Sequence, residues 1–482
     1  MGDHQRAVLR GAMELLFESR LEIANVEGRL HFFQERANLD EQPVLRGDNL
    51  VDGAGAQIYG SVHRDGGRFR MWYQAYPREW NGDDGAHVAY AESDDGQNWT
   101  KPDLGLVDYK GDGKANNLTD MGMHCPSVFI DPTAPAAARY RAAGHSGSYY
   151  ECHHRDAETL GYYTLHSADG LHWHLDLDTP QWDSCDVITT VYHPGQQRAI
   201  ASLKYTPRRN KIRRRCIWQA ERRDGQWSPA HAALIPDDFD DVCAIREGFV
   251  TGDYYGMGMM PAGSGTVGFI WQFRHDLPHG GPGVFGKMDI SLAYQPGPRD
   301  CWFHLPGRPN FISHNQVDWM RSCTYTASAP IEVGDEQWLY ISGEAHSHGW
   351  NLDQNWKVVE QRWKQLVDQG VSVIGRARWP RDRLFGFHAD PEGSLELNLG
   401  KLDTPSRLYL NYSTETDGHV RVACLDQPGL SLEEAQPLGE DSLRAPVAWQ
   451  DTDVIPADPS RDCRVRLHLD CARIYAYEVV PV

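Results

Sequence analysis

The ten cysteines of this 482-residue chain stand singly, with no C-x-x-C pair and no Cys/His spacing that suits a zinc site. That excludes a disulfide framework and predicts buried free thiols in a reducing compartment. Long apolar runs are also missing. Arg6, Arg10, Glu14 and Glu18 interrupt the N-terminal apolar residues, so neither a secretory-signal core nor a membrane-spanning segment is read, and the cytoplasm is expected. Positive charge is scarce: 47 Lys and Arg against 67 Asp and Glu leave a formal net charge of −20. A nucleic-acid or anionic-membrane partner is thereby excluded, because phosphate neutralisation needs a basic face. The single basic run, Arg208-Arg209 through Arg213-Arg214-Arg215, reads as a solvated loop and strand. A glycine-rich phosphate cradle and a nucleophilic serine elbow are both lacking, and Gly263-Ser264-Gly265 reads as a turn between strands.

What the chain does have is aromatic residues, 11% of the total with 16 Trp, and a repeated phrase. Ser93-Asp94-Asp95-Gly96-Gln97-Asn98-Trp99 and Ser167-Ala168-Asp169-Gly170-Leu171-His172-Trp173 share an S-x-D-G-x-x-W box. Asp-Gly supplies a hairpin turn and the Trp folds back over it. A strand precedes each box, His87 to Ala91 and Tyr162 to His166, and weaker echoes follow at Arg223 to Trp227 and at Leu292 to Trp302. A sheet-forming unit of blade size, repeated, is the sequence sign of a β-propeller.

The period-two pattern begins near Ala56. Ile58 to Val62, a turn at Asp65-Gly66-Gly67 and Phe69 to Tyr73 start the first blade, and comparable trios begin near Ser127, Val187, Tyr255 and Cys323. The expectation is an all-β protein: a five-bladed β-propeller over 51–380, followed by a C-terminal antiparallel β-sandwich over 381–482. In the latter, Leu395 to Leu399, Leu408 to Leu410, Val420 to Val422 and Val465 to Leu469 alternate cleanly. Residues 1–50 read as a lead-in that is helical over Ala7 to Phe17 and then extended. A helical insertion is predicted over 353–369 from the spacing of Trp356, Val359, Trp363, Leu366 and Val367. It reads as packing on the propeller rim, with a lid or a subunit contact as the alternatives. A homo-oligomer would use this helix or the sandwich.

Innermost strands of a propeller start at the mouth of its central channel. Asp52, Asp120, Asp186, Asp253 and Asp318 stand at or just before such starts, nearly one blade apart. Carboxylates converging on a water-filled mouth suit glycoside hydrolysis, in which one acts as nucleophile or base, one as acid, and one tunes its neighbours. Asp52, Asp186, Asp253 and Asp318 are the catalytic candidates. Asp120, or His124 in its place, is assigned to substrate. Glu344, His346 and His348 form a sugar-hydroxyl grip or a partial metal site, and Trp72, Tyr73, Trp80 and Trp319 are candidates for stacking on a sugar face.

Several of these stretches carry a family likeness. Phe69-Arg70-Met71-Trp72-Tyr73, Ala89 to Gly96, Trp99 to Leu106, Asn116-Asn117-Leu118, Asp186 to Pro194 with Ser202-Leu203-Lys204, and Val317-Asp318-Trp319 resemble bacterial five-bladed-propeller glycoside hydrolases of the family 32 and family 43 type. The resemblance implies a glycosidase acting on a carbohydrate, with an acidic residue in each of the first three blades: Asp52, Asp120 or His124, and Asp186. The chain departs from the family motifs, having no W-M-N-D-P-N-G in blade one, no R-D-P in blade two and no E-C in blade three. Asp253 and Asp318 are therefore alternatives for the acid. Two other functions remain open: a glycoside phosphorylase using Arg246, His346 and His348 for phosphate, and a non-catalytic carbohydrate-binding propeller. No cofactor is implied, and the channel leaves room for a cation such as calcium.

Overall fold

A computed structural model describes residues 11–17, 23–80, 87–111, 113–146, 156–183, 186–209, 212–276, 284–353, 355 and 357–482. Five antiparallel sheets follow one another along the chain. Their first strands are Gly55–Asp65, His124–Ile130, Ile188–His193, Thr251–Ala262 and Cys323–Thr326. Each first strand packs against the next, and the fifth returns to the first, so the sheets close into a ring. The last sheet is completed by Asn38–Leu39, which adds an outer strand to Val373–Pro380 and ties the start of the ring to its end.

The first strands are buried on both faces, which explains their texture. Gly55 to Val62 is buried at every position, so small, hydroxyl and aromatic residues replace a polar/apolar alternation. At the axis the hydroxyls satisfy one another. Ser127 Oγ lies 2.7 Å from both Thr190 Oγ1 and Ser328 Oγ, Ser61 Oγ donates to Ser328 Oγ at 3.0 Å, and Ser127 Oγ also accepts from the Thr190 amide at 2.6 Å. Removing the Ser127 hydroxyl takes the acceptor from the buried Thr190 amide and a partner from the Thr190 and Ser328 hydroxyls. Ser127→Ala should therefore lower stability by about 1–3 kcal/mol, read as a shift of the urea midpoint at unchanged slope.

The two boxes are scaffold, and their geometry shows how. In each, the Ser hydroxyl accepts from the Gly amide and the Asp carboxylate accepts from the next two amides, with Gly96 at φ +69° and Gly170 at φ +78°. Each turn then docks on the preceding sheet in the ring. Tyr340 donates to Gly96 O at 2.7 Å, and the Trp72 indole donates to Gly170 O at 2.6 Å.

Beyond the ring lies a sheet ordered Ile23–Gln34, Phe385–Leu402, Asp458–Pro481, Ser406–Cys424, Ser442–Pro446. Its long strands break register at Gly28/Leu30, Ala389/Glu392 and Thr414/His419. Apolar residues from both sides of this line, among them Leu395, Leu397, Tyr412, Val420, Leu467 and Ile474, share one core. The sandwich is thus one sheet folded over itself at a row of bulges.

The N-terminal lead-in differs from expectation. Residues 7–10 lie outside the described residues, and Glu14–Leu15 is a strand paired with Ala476 and Tyr477, not a helix. Leu15 and Phe17 enter the propeller core while Leu16 enters the sandwich core. A segment wedged between two cores must present opposite sides to each, which an extended backbone does and a helix does not. Ile23–Gln34 then joins the C-terminal sheet, so the lead-in belongs to both bodies. Helix α1, Asp238–Arg246, was not foreseen; its N-terminus carries a capping box of Asp237 and Asp240. Helix α2, Glu360–Gln369, occupies only the second half of the predicted insertion. Upstream, Asp353 accepts from the amides of Asn355 and Lys357, a turn that competes with helix, and Trp356 lies outside the described residues. No helix among the described residues is long and apolar enough to cross a membrane.

Candidate functional site: the propeller funnel

One end of the ring opens into a cavity of ≈ 320 Å³. First strands supply most of its floor: Tyr59 from sheet one, His124 from sheet two, Tyr255 from sheet four and Tyr325 from sheet five. The rings interlock, with Tyr59 stacked on Trp271 at 5.6 Å and edge-on to Tyr325 at 4.9 Å. The insertion forms one wall. Trp363 of α2 packs on Trp80 at 4.2 Å and donates to its carbonyl, while Trp350 lies parallel to His346 at 4.0 Å.

Glu344 ends the second strand of sheet five and faces this cavity. Its Oε1 accepts from Gln57 Nε2 at 2.9 Å, and Gln57 Oε1 accepts from Tyr76 at 2.5 Å. Burial pushes the carboxyl up to about 8, although a hydrogen bond from Tyr325 pulls the other way. At neutral pH it carries a proton.

Asp186 stands two residues before the first strand of sheet three. Burial alone would raise its pKa. The ammonium of Lys204, with which it makes an ion pair, together with His124 and His145, brings it down to about 2. The Lys204 Nζ also sits 3.9 Å from the centre of the Tyr255 ring. Tyr255 reports on both carboxyls: burial raises its phenol first, Asp186 next, and Glu344 adds in the same direction. The protonated Glu344 lines the cavity, whereas the ionised Asp186 is not itself among the lining residues and is tied to the cavity residue Tyr255 through Lys204.

Two histidines complete the polar lining. His124 is lowered to about 3 and His348 to about 4, both chiefly by burial, so both are neutral at pH 7. His348 Nδ1 pairs with Val284 O at 2.6 Å and Nε2 with the Tyr255 hydroxyl at 3.1 Å. Among the described residues no group of three or more His, Cys, Asp or Glu side chains is gathered closely enough to hold a metal ion.

The other aspartates of the regular series do not gather here. Asp52 is fully buried and occupied, accepting from the amides of Asp48 and Asn49, from Tyr73 at 2.7 Å, and pairing with Lys101 at 2.6 Å. Asp120 accepts from the Trp173 amide at 2.7 Å and so anchors the second box. Asp253, also fully buried, pairs with Arg214, Arg215 and His275 at 2.8, 3.3 and 3.0 Å. Of these partners, Arg215 has its guanidinium 5.3 Å from the Tyr255 ring centre. Asp318 is fully exposed and lines a different cavity, as does Trp319. Trp72 and Tyr73 are buried packing residues, and Arg246 ends the exposed face of α1. Trp80, Glu344, His346 and His348 do line the funnel, as does His124.

The sequence reading missed Lys204 as the partner of Asp186, and the tyrosine floor. A signal for the latter was present: Tyr59-Gly60 and Tyr255-Gly256 recur at the same depth of two first strands.

No protein-family model matches the chain, and no curated protein sequence matches it. Solved structures do. A Bombyx mori family 32 β-fructofuranosidase is similar at 11% identity over 92% of this chain and 94% of its own, with a TM-score of 0.43. A thermostable family 43 glycoside hydrolase is similar at 11% identity over 71% of this chain and 92% of its own, with a TM-score of 0.41. A glycosyl hydrolase from Bacteroides ovatus, at 11% identity, covers 73% of this chain and 95% of its own, with a TM-score of 0.43. The propeller description rests on the chain's own five sheets and the contacts that close them into a ring.

Proposed function

We propose that this chain is a glycoside hydrolase that cleaves a small glycoside or oligosaccharide in the propeller funnel, with Glu344 as general acid and Asp186 as nucleophile or base. The observation that carries the reading is the split between the two carboxyls: Glu344, which lines the cavity, is pushed up, and Asp186, tied through Lys204 to the cavity residue Tyr255, is pushed down, which divides the acid and base roles. Glu344 gives its proton to the leaving oxygen as the glycosidic bond breaks. Asp186, as the anion, attacks the anomeric carbon or takes a proton from the water that does. Lys204 keeps Asp186 ionised. The tyrosine and tryptophan rings supply flat apolar faces for a sugar, the neutral His124 is a candidate to bond its hydroxyls, and His348, engaged by Val284 O and the Tyr255 hydroxyl, holds the Tyr255 phenol in place.

A screen of aryl glycosides and oligosaccharides tests the reading, with release of product by the wild type and loss of it in the carboxyl variants as the expected outcome. The role of Lys204 has its own signature. Lys204→Met removes the counter-charge, so the acidic limb of the rate profile should move toward neutrality by about one pH unit or more, with activity recovered at higher pH.

A second reading, a non-catalytic sugar-binding propeller, is favoured by the way Asp52 and Asp253 are locked to cations and amides. It expects saccharides to bind while wild type and variants alike release no product.

A further inference from the structure

Trp319 lies outside the funnel, in a groove of ≈ 640 Å³ between sheet five and the strap at residues 41–46. Its setting is unusual for a residue that merely fills space. The indole lies against the backbones of Gly343 and Gly375, where a Cβ at either position would overlap the ring, and its N–H donates to Asp40 O at 3.1 Å. One face is thereby seated on two adjacent strands, the in-plane direction is fixed, and the residue remains half-buried beside open space. A locked aromatic platform with a polar rim is the chemistry that recognises a sugar ring.

The rim is rich in hydrogen-bonding groups, with Gln42, Asn315, Gln316 and Gln369 beside the charged residues. Those charges cancel: Glu41 and Asp318 against Arg46 and Arg321. A neutral ligand is therefore favoured over an anionic one. The groove also shares a wall with the funnel. Gly343 and Ala345 line the groove while Glu344 and His346 line the funnel. His346 Nε2 bonds Gln369 Oε1 at 2.7 Å, linking a funnel residue to a groove residue.

We infer that the Trp319 groove is a second saccharide subsite, which holds a neutral sugar unit of the same chain outside the funnel. It deepens the glycosidase reading and rests on that reading only for what happens to the bound chain. The Glu344→Gln full-length protein, titrated calorimetrically with neutral linear hexasaccharides (xylo-, arabino- and cello-) and with the corresponding methyl monosaccharides, provides the test. At least one hexasaccharide should bind. Its affinity should fall about fivefold or more in Trp319→Ala, and also in Asn315→Ala/Asp318→Ala, a pair of exposed rim changes that leaves the packing of the indole untouched. Methyl monosaccharide binding should stay the same. Failure of every hexasaccharide to bind, or equal affinity in the rim variant, overturns the subsite. If the wild type hydrolyses nothing while hexasaccharide binding still depends on Trp319, the hydrolase reading falls and the subsite stands.

Discussion

Glu344→Gln should lower kcat on a glycoside with a poor leaving group on the order of 10³-fold, because a positioned acid contributes roughly 10²–10⁴-fold to such a step. Glutamine keeps the shape and can still meet Gln57 and Tyr325, but it has no proton to give. A dinitrophenyl glycoside, whose leaving group departs as an anion without help, should lose less than about tenfold. The contrast between the two substrates separates a lost acid from a damaged pocket, which would depress both alike. Parallel initial rates on the two substrates make the comparison.

Asp186→Asn should be the more severe change, on the order of 10⁴-fold on both substrates, the upper end for a positioned base. No leaving group rescues the loss, since the group that attacks or activates water is gone. Lys204 should meanwhile hold an uncompensated charge over Tyr255. Its proximity to the ring, 3.9 Å, means that the substitution also perturbs the sugar-facing phenol. Single-turnover measurements read the chemical step apart from binding, and a KM near that of the wild type shows that the pocket itself persists.

The architecture was legible because propellers repeat. The first strands predicted near Ile58, Ser127, Val187, Tyr255 and Cys323 overlap the observed ones, and the alternation at Leu395 to Leu399 and Val465 to Leu469 gives the observed core. The boxes read as hairpins and are hairpins. What the pattern could not show was partnership. A carboxylate one blade from the next is placed along the ring by its spacing, yet whether it meets water, an amide or an arginine depends on residues far away in sequence. Asp52 and Asp253 meet Lys101 and Arg214, whereas Asp186 meets Lys204, which lies over the funnel residue Tyr255. Glu344 was read as a sugar ligand from its place beside His346 and His348. Its role as an acid follows only from the enclosure that raises its pKa, which no local sequence reports. Over the described residues 11–17 the helical reading failed for a related reason: Leu15, Leu16 and Phe17 are apolar in succession because two cores flank them, and a single-faced period does not describe that.

The pH dependence of kcat/KM on an aryl glycoside, compared between the wild type and Glu344→Gln, tests the central claim most directly. An acid must be protonated to act, so wild-type activity should hold through neutral pH and fall as pH rises through about 8, the value at which Glu344 gives up its proton. Asp186, ionised from about 2 upward, should impose no limb near neutrality. In Glu344→Gln the alkaline fall should disappear and a low, flat rate remain. An alkaline limb that survives unchanged in Glu344→Gln would contradict the assignment of the acid.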